Sequence, residues 1–205
     1  THRHSSAASD VYKRQGVGLS AACGFRIFVP PLVMSIAAQS GHLQLSDDFA
    51  WMSTPQATVA FGLAAFLEVA AYYIPWIDEL LDIVATPTAV IAGTIITGSF
   101  FSDMSPMLQW TIAVIVGGGS AGAVQGLTDV TRLASTTLTG GFANPGVSTM
   151  ELLSSAVLSM LAIALPVLAT VVVFVVIWLL WSGVKALHRK LSRKNNTETS
   201  STQVG

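Results

Sequence analysis

A single arginine stands in the stretch Ala21-Ala22-Cys23-Gly24-Phe25-Arg26-Ile27-Phe28-Val29-Pro30-Pro31, inside an apolar run long enough to cross a bilayer. A charged side chain at the centre of a spanning helix costs about 2.5 to 3.5 kcal/mol on insertion scales, so something must compensate for it. Near an interface the side chain would snorkel to lipid phosphate. Inside a bundle it would pair with an acid, and the candidate is Glu68, in the middle of the next apolar run. Between Gly16 and Val184 the only lysine or arginine side chains are Arg26 and Arg132. An inward Arg26–Glu68 pair would give a helical bundle a polar pathway, with Arg26 favouring an anionic group and Glu68 acting as counter-ion or titratable gate.

Other polar residues could extend that pathway. Arg132 lies in Thr131-Arg132-Leu133-Ala134-Ser135-Thr136-Thr137, a hydroxyl-rich stretch that ends in Gly140-Gly141. It reads either as a re-entrant or interfacial segment or as an external loop. Asn144 to Ser148 lead into the last apolar run, and the free N–H groups of a helix start hold an anion readily. Asp78 and Asp82 stand four apart, on one face if the chain coils again after Pro75. Together they would suit a hard cation such as magnesium or calcium; otherwise they form a solvated acidic surface. His4, His42 and His188 have no partner at zinc-ligand spacing, and no serine, cysteine or histidine grouping offers a nucleophile with its base. No catalytic residue, metal or cofactor is expected, and the chain is not expected to be an enzyme.

These groups need a scaffold, and composition says of which kind. Hydrophobic residues make up 52% of the chain and charged residues 10%, with a mean hydropathy of +0.63, whereas soluble domains carry about a quarter charged residues. An ordinary soluble domain is excluded. Nine acids and two bases occupy residues 16–184, while five bases crowd into Lys185 to Lys194. Cys23 is the lone cysteine, so no internal disulfide forms. Residues 1–15 have no apolar run, and Asp10 to Gln15, DVYKRQ, matches what the end of a transposon sequencing adapter encodes. That leader is expected to be an artefact and disordered. Residues 16–184 are the transmembrane domain, and 185–205 a basic, then polar, disordered tail.

Spanning a hydrocarbon core of about 30 Å takes about 20 apolar residues in a helix. Five stretches approach that length: Gly16 to Ala38, Ala57 to Ile74, Ile83 to Phe101, Met107 to Leu127, and Glu151 to Val184. Pro30-Pro31 should break or bend the first. Pro166 should kink the last, a single tilted helix whose beginning, Ser148-Thr149-Met150-Glu151, has the form of a capping box. Trp178 and Trp181 suit an aromatic belt, and the basic block beyond them predicts a cytoplasmic C-terminus. A dip of residues 127–149 into the bilayer would add a sixth crossing. Gly118, Gly122 and Gly126 repeat every four residues, as in a glycine zipper, and predict close packing against a neighbouring span, with Gly24 as a facing candidate. The expected fold is an all-α, polytopic transmembrane bundle of five spanning helices, or six, with a broken or re-entrant segment.

The order AACGFRIFVPPL, LEVAAYYIPWIDELLD, GGGSAGAVQG, TRLASTTLTGGFANPGVSTMELL resembles an uncharacterised bacterial integral membrane family, the domain of unknown function numbered four-one-two-six. Tyr72-Tyr73 departs from that family's pattern, in which a polar, often charged pair precedes Ile-Pro. The resemblance implies a polytopic protein of the bacterial plasma membrane and supplies no activity. The expected partners are bilayer lipid and an ion or small polar solute; a homo-oligomer is left open, and nothing points to nucleic acid. A small transporter or channel is the function expected, with a non-transporting membrane scaffold as the alternative.

Overall fold

A computed structural model describes residues 2–101, 104–178, 182 and 185, and their side chains except at 2–9, 12, 75, 76, 78 and 79. Every regular element among the described residues is a helix. In chain order these are α1 (His2–Cys23), α2 (Val29–Gln39), a 3-10 segment (Asp47–Ser53), α3 (Pro55–Ala71), α4 (Pro75–Gly98), α5 (Pro106–Ile112), a π-helical segment (Ala113–Gly118), α6 (Gly119–Thr139) and α7 (Asn144–Ala164). A short apolar helix, α8 (Pro166–Trp178), follows. Trp181 and the basic block from His188 to Lys194 lie outside the described residues.

By length and composition, three helices can cross a membrane: Leu80–Gly98, the continuous Pro106–Thr139, and α7. The 3-10 segment and α3, bent by 68°, make a fourth if taken as one span. Two of the five apolar runs are each divided by a break. The first stops at Cys23 and resumes at Val29. The last leaves helical geometry at Leu165, where φ is −136° and ψ is 68°. Pro166 explains that break, since its ring clashes with the preceding turn and it has no N–H to donate.

Helix α7 shows what solvent surrounds the bundle. Ser148, Glu151, Ser155 and Ser159 recur at helical spacing and are buried, while Met150, Leu153, Val157 and Met160 on the other side are exposed. A polar stripe turned inward and an apolar one turned outward is the reverse of a water-soluble helix, and it fits a helix whose outer face meets hydrocarbon. The multi-pass membrane character read from composition therefore extends to how individual faces are oriented.

Three expectations are corrected here. Residues 2–15, expected to be disordered, continue α1 upstream; once Gly16 to Cys23 are held in the core, adding residues to an existing helix is far easier than nucleating one. The stretch around Arg132, expected as a loop or re-entrant segment, is helix up to Thr139 and turns only at Gly140 and Gly141, whose φ values of 63° and 86° suit glycine. Ser148-Thr149-Met150-Glu151 does not start the last helix. That helix begins one turn earlier, with Asn144-Pro145, because Pro is suited to a first turn where no N–H donor is needed.

The glycines pack in a different register from the stripe expected. A Cβ on Gly117 would collide with Thr97 and the Gly93 carbonyl of α4, and one on Gly118 would come within 2.7 Å of Thr94 Oγ1. Gly122 lies beside Val90, but Gly126 has nothing within 4 Å. The π-helical segment, by widening one turn, brings the adjacent Gly117 and Gly118 both onto α4. Gly24 packs against α6, where a Cβ would meet the Ala121 carbonyl, Val124 Cβ and the Gln125 N–H.

Candidate functional site

Three helix-to-helix corners, at residues 24–28, 72–74 and 140–143, are each followed by a helix with Pro in its first turn. Hydrogen bonds draw them to one end of the bundle. Ile27 and Phe28 of the first corner donate to Glu68, in the last turn of α3. Tyr73 Oη of the second corner is 2.9 Å from Thr149 Oγ1, in α7. Asp82 lies two residues into its span and Glu151 two turns into α7, whereas Arg132 is in the last third of the 34-residue helix Pro106–Thr139. The polar cluster consequently lies nearer one end of these helices than the other.

At the centre of the cluster is Glu151. Arg132 Nε donates to its Oε1 at 2.9 Å and Arg132 Nη2 to its Oε2 at 2.5 Å, a two-pronged pairing. Arg26 Nη2 lies 3.1 Å from the same Oε2. Arg26 Nη2 also donates to the Ser148 carbonyl at 2.9 Å and to Ser148 Oγ, and Arg132 Nη2 reaches Ser148 Oγ at 3.5 Å. Both guanidiniums lie over the Tyr72 ring, at 4.0 and 4.3 Å from its centroid; such contacts with desolvated cations contribute about 2 kcal/mol. Arg26, Arg132 and Glu151 are 1%, 3% and 5% exposed. Protein therefore encloses Arg26.

Arg132 has a second acid, Asp82, whose Oδ1 is 3.7 Å from Arg132 Nε. Arg26 has only its share of one Glu151 oxygen and the two Ser148 acceptors. Its buried Nε and Nη1 have no acceptor among the described residues. A buried guanidinium donor without a partner is costly.

The expected Arg26–Glu68 ion pair is not formed. Glu68 Oε1 accepts from Ile27 N at 2.8 Å and Oε2 from Phe28 N at 3.1 Å. These N–H groups lie just before α2, on its N-cap residue Phe28 and the residue ahead of it, and α2 has no capping side-chain bond from the N-cap itself. Glu68 supplies the cap from another helix, and its negative charge faces the positive end of the α2 dipole. Arg26 cannot donate the same bonds because its guanidinium is turned toward α7.

Of the remaining candidates, Ser148 joins the cluster. Asn144 ties the corner between α6 and α7 by donating to Thr136 Oγ1 at 3.2 Å. Asp82 lies beside Arg132, and the Asp78 side chain lies outside the described residues. No grouping of three metal-binding side chains occurs among the described residues. Two cluster members were not foreseen, Glu151 and Tyr72. The spacing of Ser148, Glu151, Ser155 and Ser159 carried the signal for Glu151, but the first four residues also fit a capping box. Nothing local marks Tyr72.

Two cavities flank the cluster. One of about 250 Å³ between α6 and α7 is lined by Thr128, Thr131, Glu151 and Ser154, with apolar neighbours. The other, about 450 Å³, has Glu68 and Tyr72 in its wall. No curated protein and no solved structure matches the chain. A family profile does: residues 14–186 match the domain of unknown function DUF4126, and the chain belongs to that family.

Proposed function

We propose that this DUF4126 protein is a membrane transporter or channel for a small anionic solute, and that Arg26 is the group the solute meets. The observation that carries the reading is the pair of buried Arg26 donors with no acceptor among the described residues. Around Glu151 two guanidiniums face one carboxylate, and the second acid, Asp82, lies beside Arg132. An incoming anion would complete the coordination of Arg26. It would reach the cluster through the 250 Å³ cavity, where the Ser154 hydroxyl can donate; those of Thr128 and Thr131 already donate to the Gln125 and Leu127 carbonyls. The reading assigns the chain no catalysis.

The test is flux of chloride, acetate and phosphate into liposomes carrying the purified protein. At least one should cross, and Arg26→Gln, checked for an unchanged gel-filtration profile, should slow it about tenfold or more, as loss of a charged hydrogen bond does. Equal flux through Arg26→Gln and wild-type protein would remove Arg26 from any pathway.

A second reading, a non-transporting scaffold, has one observation in its favour. The two cavities share no lining residue, so the cluster can equally serve as a lock that fixes the register of α1, α4, α6 and α7. Absence of flux for all three anions, together with a folded protein, would favour it.

A further inference from the structure

The larger cavity, about 450 Å³, lies between the first corner, the last turn of α3 and the first half of α4. Its volume is within the range of about 300 to 1,000 Å³ typical of small-molecule sites. Glu68 is the only charged residue in its wall, and apart from Tyr72 and Thr88 the other lining residues are apolar. At its rim Leu67 is 57% and Val84 45% exposed, on the outer surface shared with Leu63, Phe66, Leu80 and Ile83. The cavity therefore opens where the bundle faces hydrocarbon, and a ligand would enter from the bilayer.

Glu68 is only partly covered by protein. Each of its oxygens accepts one backbone N–H, which fixes the plane of the carboxylate and leaves acceptor capacity unused, since an ionised carboxylate has about four lone-pair sites. Arg26 and Arg132 do not line the cavity; Tyr72, which stacks with both, forms the wall on that side. The Tyr72 ring is already engaged by the two guanidiniums, so the attraction rests on Glu68: an apolar chamber with one carboxylate in its wall suits a hydrophobic body carrying a positive charge. We infer that this cavity is a binding site for a lipophilic cation or amine that partitions from the membrane, separate from the anion site at Arg26.

Tetraphenylphosphonium and tetraphenylborate make a matched pair of probes, alike in shape and opposite in charge. Each is dialysed to equilibrium against the full-length protein in neutral-detergent micelles, with binding to protein-free micelles subtracted. The phosphonium should bind the wild-type protein about tenfold or more tightly than the borate. Glu68→Gln should abolish most of that preference. Since Glu68 also caps α2, Ala64→Phe provides a variant that fills the cavity and leaves the Glu68 bonds to Ile27 and Phe28 in place; it should weaken phosphonium binding by about the same factor. Equal binding of the two probes to wild-type protein, or wild-type phosphonium affinity in Ala64→Phe, would overturn the assignment and leave the cavity as a slot for lipid chains.

Discussion

Glu68 and Glu151 are carboxylates at the same end of one bundle, and different parts of the chain neutralise them. Glu151 is met by side chains, two guanidiniums and no backbone donor in its described contacts. Glu68 is met by backbone, the two N–H groups just before α2. The first arrangement places three full charges within hydrogen-bonding distance and needs all of them at once. The second uses partial charges that any helix start offers. Removing one member should therefore be much more damaging at Glu151 than at Glu68.

Replacing Glu151 by Leu leaves two buried guanidiniums facing each other and should cost about 3 to 5 kcal/mol of stability, read as a shift in the midpoint of SDS-induced unfolding in mixed micelles. Glu68→Leu removes the acceptor of two N–H groups, and about 1 to 3 kcal/mol is expected by the same assay; a loss equal to that at Glu151 would erase the contrast between the two acids. At Ser148, substitution by Ala deletes a hydroxyl that both arginines approach but keeps the carbonyl, so about 1 kcal/mol should be lost. Tyr72→Phe retains the ring over both guanidiniums and should change stability by less than about 0.5 kcal/mol, whereas Tyr72→Ala should cost several times that. If Phe proved as harmful as Ala, the phenol hydroxyl and not the ring would be what matters.

Much of this was legible in the sequence. Each Pro that marks a corner, at positions 30–31, 75 and 145, begins a helix there, because the ring's constraint is local and independent of tertiary context. That Arg26 is enclosed by protein followed from the cost of leaving it in hydrocarbon. Its partner did not follow, since desolvation demands an acid without saying which. Glu68 seemed the stronger choice because it stands in mid-span in the sequence, but α3 ends three residues later, at Ala71, which brings it to the bundle end beside the start of α2. Glu151 was hidden by a pattern with two meanings, since Ser-x-x-Glu describes both a capping box and two neighbours on an inward helix face. The glycine spacing misled for a geometric reason: one widened turn at 113–118 displaces the register that a regular repeat assumes.

The central claim, that Glu151 and not Glu68 is the ionic partner of Arg26, is tested most directly by two double-mutant cycles on unfolding free energy. One combines Arg26→Met with Glu151→Leu and the other Arg26→Met with Glu68→Leu. The first should give a coupling of about 1.5 to 3 kcal/mol and the second less than about half of that. A larger coupling between Arg26 and Glu68 than between Arg26 and Glu151 would contradict the account.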